Sequence, residues 1–335
     1  TGQCERGTNP SYSARTPAAT SENSQGNLVK TICFSALFDG IDWIEPAYVT
    51  LDDQGCVINI NQQPPNDTNV LETISGYVLP GFQNAHSHAF QYAMAGLAEH
   101  LPDGRTSDDF WSWREVMYRL AQKITPDQFE SVATMAYAEM LRVGITAVAE
   151  FHYLHHDAQG RPFQQIAEMS LRLLNAAHQA GIHLTLVPIF YQMGGFDEPP
   201  RPNQSRFISS TVDDYARLLE ATKAAAAFKS DTVIGIGVHS LRAAKAEAVK
   251  KAFALDPSTV AHIHVAEQKR EVVDCIKHLG ARPVSWLLDN LEINQRFSLV
   301  HATHCEPGEL ERLAKTGACV VVCPSTEGNL GDGLF

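Results

Sequence analysis

The chain has 335 residues, enough for one large domain or for a barrel with a small appendage. Its 26 Lys and Arg stand against 38 Asp and Glu, a formal charge of −12 with no dense basic cluster, which excludes nucleic acid as an expected partner. No apolar run approaches the roughly 20 residues that span a bilayer, and seven scattered cysteines without a CxxC pair point to reduced thiols, so a cytoplasmic chain with no membrane partner is expected.

Residues 1–27 are mostly Ser, Thr, Asn, Gly, Pro and charged, and read as a disordered leader that cannot offset its ordering entropy by burial. Residues 28–76 carry short β-rich runs ("VKTICFSALF", "AYVTLDD", "CVINI") separated by Asp-Gly, Asp-Asp-Gln-Gly and a Pro-Pro-Asn-Asp stretch, which predicts a small antiparallel sheet. Position 1 is Thr and the chain closes on the apolar "NLGDGLF", so it is expected to continue beyond both ends.

From residue 77 to 335 the pattern changes to short β-branched runs alternating with longer helical ones, the signature of βα units around a parallel sheet. The best-marked helix opens at Thr125, with Pro126 in the first position, Gln128 completing a capping box and Gly144 closing the end. Strands are predicted at 77–80, 145–150, 183–190, 232–238, 260–264, 297–301 and 318–323, one short of a (β/α)8 barrel. A doubly wound open sheet would favour a Gly-rich phosphate turn after the first strand, where this chain has "QNAHSHAF".

In such barrels, side chains at the C-terminal ends of the strands converge on the active site. The first strand runs into His86 and His88, which share a face of an extended chain and can reach one ion. In "VAHIHVAEQ", His264 with Glu267 three residues beyond offers a further imidazole and a carboxylate able to move protons, while His262 is expected to be buried on the opposite face. His301 ends "FSLVH" and is placed to hold or polarise an attacking water, and His304 reads as a solvated loop residue. "GVHSLR" adds His239 and Arg242, the arginine being suited to bidentate grip of a carboxylate. His152, His155 and His156 have no cysteine or further spacing to make them a second metal cluster, and Trp111, Trp113 and Tyr118 read as packing residues.

With those residues on the page, "PGFQNAHSHAFQ", "HVAEQ" and "LVHATH" resemble the amidohydrolase superfamily of metal-dependent hydrolases. Within it, "HSHAFQYAMAGLAE", "FWSWREVMYRLAQ", "HSLRA" and "CPSTEGNLGDGLF" resemble the formimidoylglutamate deiminase family. The resemblance implies an α/β fold, a distorted (β/α)8 TIM-type barrel, here truncated before the eighth strand, joined to a small β-sandwich made from both chain ends. It implies one Zn²⁺ per chain held by His86, His88 and His264, although another divalent metal would also suit imidazole ligands. By the same resemblance Glu267 is the proton-shuttling acid/base and His301 hydrogen-bonds the attacking hydroxide. Gln91, Arg114, Tyr153, His239 and Arg242 match positions that hold the formimino group and two carboxylates of a dianionic small molecule.

The expected activity is deimination of N-formimino-L-glutamate to N-formyl-L-glutamate and ammonia in histidine degradation, by a possible homodimer. Two departures stand out: the family's aspartate at the end of an eighth strand has no counterpart, Asp332 belonging to the stretch after the seventh, and Val238 stands where proline is expected. A guanine-type aromatic base deaminase on the same frame, cleavage of the other C–N bond to give formamide, and a truncated non-catalytic chain stay open as alternatives.

Overall fold

The computed structural model describes residues 30–65, 70–98, 110–227, 229 and 231–335, so the leader expected over 1–27 lies outside the described residues. The chain divides into two compact units between Pro80 and Gly81.

The first unit is one sheet. Strands β1 (Lys30–Phe38), β2 (Trp43–Ile44), β3 (Ala47–Leu51), β4 (Val57–Asn61) and β5 (Val70–Val78) lie in the order β2-β1-β3-β4, with β5 also beside β1. The β1–β5 pairing is parallel, so the sheet is mixed where an antiparallel one was expected. Its turns follow the sequence: Asp39 Oδ1 accepts from the Ile41 and Asp42 N–H groups, and Asp52 Oδ1 from those of Gln54 and Cys56, which are side chains substituting for a backbone turn.

The second unit holds the parallel sheet. Its strands are β6 (Phe82–Ser87), β7 (Ile145–His152), β8 (His183–Phe190), β9 (Thr232–Ile234), β10 (Ile236–Val238), β11 (Ala261–Val265), β12 (Phe297–His301) and β13 (Cys319–Val321). The order β13-β12-β11-β10-β8-β7-β6, with β9 on β8, makes β9 and β10 two halves of one strand and gives seven barrel positions. Expected and observed strands agree closely except the first. Residues 77 and 78 finish β5, and parallel pairing restarts only where the Phe82 N–H donates to Gly144 O at 2.9 Å. Pro80 has no N–H for a ladder, so the apolar run before it could not serve as the barrel's first strand without a break.

Helices α1 (Phe110–Lys123), α2 (Pro126–Arg142), α3 (Glu168–Ala180), α4 (Val212–Ala226), α5 (Ala246–Ala254), α6 (Lys269–Leu279), α7 (Pro283–Asn290) and α8 (Pro307–Ala314) cross over between strands, and α9 (Pro324–Leu330) follows β13. The cap of α2 is as the sequence predicts: the Gln128 N–H donates to Thr125 Oγ1 at 3.2 Å and the Thr125 N–H to Gln128 Oε1 at 3.1 Å. Gly144 adopts φ +85° between α2 and β7, a conformation that would strain any side-chain-bearing residue.

Two apolar clusters fill the unit, one around Phe129, Tyr137, Phe151 and Leu173 and one around Ile236, Ile263, Leu299 and Trp286. Leu173 is fully buried, and its truncation to alanine is worth about 2–5 kcal/mol on the usual scale of core cavities. Arg206, 2% exposed, donates to the Ala121 and Ile124 carbonyls at 2.5 and 2.8 Å and to His156 O at 2.8 Å. It satisfies carbonyls at the C-terminal end of α1 and so ties that helix to the segments after β7 and β8.

Candidate active site

His86 near the end of β6, His88 just beyond it, and His264 in β11 meet at the mouth of the barrel. Their Nε2 atoms lie 3.1 Å (His86 to His88) and 3.2 Å (His86 to His264) apart. The far side of two of these rings is fixed, His88 Nδ1 at 2.9 Å from Phe151 O and His264 Nδ1 at 3.0 Å from His239 O. A carbonyl can only accept, so both Nδ1 atoms carry the proton and both Nε2 atoms point a lone pair into the cluster. Burial lowers all three pKa values, His88 to about 4 and the other two well below the usual range, so the imidazoles are neutral. Converging neutral nitrogens at about the edge length of a tetrahedron with ~2.05 Å bonds suit a zinc-type cation. The donor set therefore fits the metal that the sequence implies.

Glu267 and His301 flank this cluster. His301 Nε2 lies 3.5 Å from Glu267 Oε1, and on its other side Nδ1 lies 3.1 Å from Glu327 Oε1. Burial works against a charged His301, but Glu267, Cys323 and Glu327 outweigh it and hold the imidazole up to about 9. The backbone there is left-handed, with φ +74° at His301, +52° at Ala302 and +51° at Ala266. Such angles cost ordinary residues energy and persist only where neighbours over-determine them. The Ala302 N–H donates to Val265 O at 2.9 Å and the His304 N–H to Ala266 O at 3.0 Å, continuing the ladder past both strand ends.

The remaining candidates complete the lining of the same pocket, Tyr153 and His239 directly against the imidazoles. Gln91 Nε2 donates to the Tyr153 hydroxyl at 2.9 Å. The His239 ring lies between those of His264 and Tyr191, with centroids at 5.0 and 4.5 Å. Arg242 Nη1 pairs with Glu271 Oε2 at 3.1 Å, and that same oxygen accepts the Glu267 N–H at 3.2 Å. Arg114 lies over Trp111 at 4.5 Å, while its buried Nε has no partner among the described residues. All ten residues singled out from the sequence thus line a single pocket.

A family model for amidohydrolases matches residues 77–335. The chain belongs to the amidohydrolase family. Formimidoylglutamate deiminase of Pseudomonas aeruginosa is 46% identical to this amidohydrolase over 275 residues, which cover 82% of this chain and 60% of that protein. The crystal structure of an amidohydrolase from Brucella melitensis has a TM-score of 0.86 at 42% identity, covering 91% of this chain and 67% of that one. The 5-methylthioadenosine/S-adenosylhomocysteine deaminase of Haloarcula marismortui is 26% identical over 288 residues, 84% of this chain and 59% of that protein. The chain spans about 60% of the length of these curated relatives.

Several residues of this amidohydrolase depart from the sequence reading. His262 is buried, but strand periodicity puts it on the same side of β11 as His264 and not on the opposite one. His304 is half-buried, its Nε2 without a partner among the described residues, and not a solvated loop residue. Tyr118 and Trp113 do pack, one within a core cluster and one against it, and both also line the pocket. His152, His155 and His156 are all buried, and their ligand atoms do not converge as those of His86, His88 and His264 do; His155 Nε2 and His156 Nε2 instead meet the Ile189 and Ile208 carbonyls at 3.0 and 2.9 Å.

Three buried carboxylates escaped the sequence altogether. Glu327 backs His301, Glu271 joins Arg242 to the Glu267 backbone, and Glu150 accepts the Ala89 N–H at 2.7 Å beside His88. Burial pushes the Glu150 carboxyl up to about 7. Asp332 is raised to about 6, first by burial and then by the charge of Glu267. A buried acidic residue in an otherwise apolar stretch, such as Glu150 in "ITAVAEF", was the one available signal.

Proposed function

We propose that the protein deiminates N-formimino-L-glutamate, giving N-formyl-L-glutamate and ammonia. The observation that carries this reading is one pocket lined both by a three-imidazole cluster with Glu267 and His301 and by Arg114 and Arg242. The formimino carbon belongs at the first group and the two carboxylates at the second. The similarity to the Pseudomonas aeruginosa deiminase supports the same substrate.

His86, His88 and His264 would hold zinc, or another divalent ion that imidazole accepts, and the ion would supply Lewis acidity and a more acidic water. The chain's own residues do the rest. Glu267 accepts a proton from the attacking water through its carboxylate and passes it to the terminal nitrogen, then carries the remaining hydroxyl proton to that nitrogen as it leaves as ammonia. One C–O bond forms, the bond from that carbon to the terminal nitrogen breaks, and a carbonyl remains. His301, protonated at neutral pH, presents Nε2 to the same space and steadies the oxygen that becomes the carbonyl. Gln91 and Tyr153 orient the formimino group, while Arg242 and Arg114 bind carboxylate.

Participation in histidine degradation and a cytoplasmic location belong to this reading. A purine brings no carboxylate for the two guanidinium groups of Arg114 and Arg242 in this pocket.

The test is product analysis on the natural full-length chain loaded with zinc and given N-formimino-L-glutamate, following ammonia, formamide and N-formylglutamate together. Ammonia with N-formylglutamate is the expected result. Formamide with glutamate would move the cleavage to the other C–N bond, and no product from a fully metallated chain would overturn the substrate.

A further inference from the structure

Gln204 is fully buried in the short helical turn after β8, beside the pocket, and its amide orientation is fixed. The Arg201 N–H donates to Gln204 Oε1 at 2.8 Å, so the nitrogen must face the other way. There Nε2 lies 3.0 Å from the Tyr118 hydroxyl and 3.0 Å from the Tyr191 hydroxyl. An amide nitrogen has two hydrogens, and both are used. Each phenol oxygen therefore accepts from Gln204 and keeps its own hydrogen to give away.

Tyr118 and Tyr191 are 2% and 5% exposed and both line the pocket. The Tyr118 and Tyr191 hydroxyls also interact with each other, which can occupy at most one of the two phenolic hydrogens. Among the described residues no further acceptor is recorded for the other, and a buried donor left without an acceptor is costly. The charges around the pair are cationic: Arg114 lies 5.5 Å from the Tyr118 ring, and both Arg114 and Arg242 act on the Tyr191 hydroxyl. The missing partner is thus an anionic acceptor brought by a ligand.

We infer that Tyr118 and Tyr191, aligned by Gln204, donate a phenolic hydrogen bond to one carboxylate of the substrate beside Arg114 and Arg242, and so help to select dicarboxylates. The subsite lies beyond His239 from the imidazole cluster, since the Tyr191 ring contacts His239 and the His239 ring contacts His264. A carboxylate several bonds from the reacting carbon belongs there. The inference rests on the deimination reading for the identity of the reacting group but not for the anion site itself.

The experiment compares the zinc-loaded full-length protein with Tyr118→Phe, Tyr191→Phe and the double variant. Substrates are N-formimino-L-glutamate, N-formimino-4-aminobutyrate and N-formimino-L-2-aminobutyrate, the last two each lacking one carboxylate. The double variant should raise KM for the dicarboxylate about tenfold or more, the scale of a lost hydrogen bond to a charged group, with kcat within about threefold. For the analogue missing the contacted carboxylate the KM effect should disappear. An unchanged KM, or the same rise for all three substrates, would overturn the inference, because a merely structural role does not depend on which carboxylate is present.

Glutarate binding by calorimetry separates this result from the wider reading. If the wild type turns over none of the substrates but binds glutarate, and the double variant binds it at least about fivefold more weakly, the deimination reading falls and the anion site stands. Equal glutarate binding by wild type and double variant removes the anion site.

Discussion

The His301 imidazole bridges two buried carboxylates, with Glu327 Oε1 3.1 Å from Nδ1 and Glu267 Oε1 3.5 Å from Nε2. Glu327 touches no other group assigned to the chemistry, so its influence passes through His301. Glu327→Gln should lower kcat by about ten- to a hundredfold with little change in KM, the pattern of an orienting contact that matters in the transition state. The pH profile supplies the sign. Protonated His301 is the form present below about 9, and loss of the Glu327 charge lowers that value, so the alkaline fall in activity should move to lower pH. An unmoved alkaline limb would remove Glu327 from this role.

Removing a metal ligand should differ from removing the proton carrier. His264→Ala should weaken zinc binding by more than the about 10–100-fold typical of outer-shell contacts, measured by chelator competition, and should lower the thermal midpoint of the zinc-loaded form. Glu267→Gln should keep the metal while turnover disappears. Normal turnover by Glu267→Gln, or full zinc affinity in His264→Ala, would reverse the assignments.

Arg242→Ala carries a second effect beyond its expected rise in KM. It leaves Glu271, whose side chain is 2% exposed, buried without its cation, and breaking a buried pair from one side costs about 3–5 kcal/mol. Urea denaturation should show that loss, and the double change Arg242→Met with Glu271→Met should recover much of the stability without restoring KM. If the single variant is as stable as the wild type, Glu271 does not depend on Arg242.

Glu150 gives stability an unusual pH dependence. Its folded pKa of about 7 lies above the ordinary value of 4.5, so between those values the folded state holds more protons than the unfolded one. The contribution is therefore greatest at low pH and is lost as pH rises through about 7, opposite in sign to a salt-bridged carboxylate. Glu150→Gln should flatten the decline in thermal midpoint of the metal-free protein between about pH 5 and 8. A slope equal to the wild type's would assign the decline to other groups, Asp332 among them.

The metal and catalytic candidates were legible because strand ends can be read from apolar runs, and a parallel barrel gathers the ends of successive strands at one mouth. His86, His88, His264, Glu267 and His301 follow from that rule. The first strand's start was misplaced because "YVLP" is as apolar as a barrel strand, and nothing in its composition reveals that it completes the smaller sheet. Glu150, Glu271 and Glu327 were hidden for another reason. Glu150 acts on a backbone group 61 residues away, Glu271 on an arginine 29 away, and Glu327 on a histidine 26 away, relationships that only tertiary packing creates. The packing role of Tyr118 was legible, but not its place in the pocket lining, because a buried tyrosine in a helix carries the same pattern in either case.

The pocket's lining comes from the barrel strand ends and from one helix outside the sheet. The imidazoles, Glu267 and His301 sit on or just after β6, β11 and β12, whose backbones are locked into the barrel ladder. Arg114 and Tyr118 ride on α1, which Arg206 fastens from outside the sheet through main-chain carbonyls alone. That fastening reads no side chain of α1, whereas Tyr118 and Gln122 on the same helix bond Gln204 and Asn203, so exchange of Arg114 spares the attachment and exchange of Tyr118 does not. Arg114 is then the position at which this helix can alter substrate preference while the hydrolytic apparatus is inherited intact.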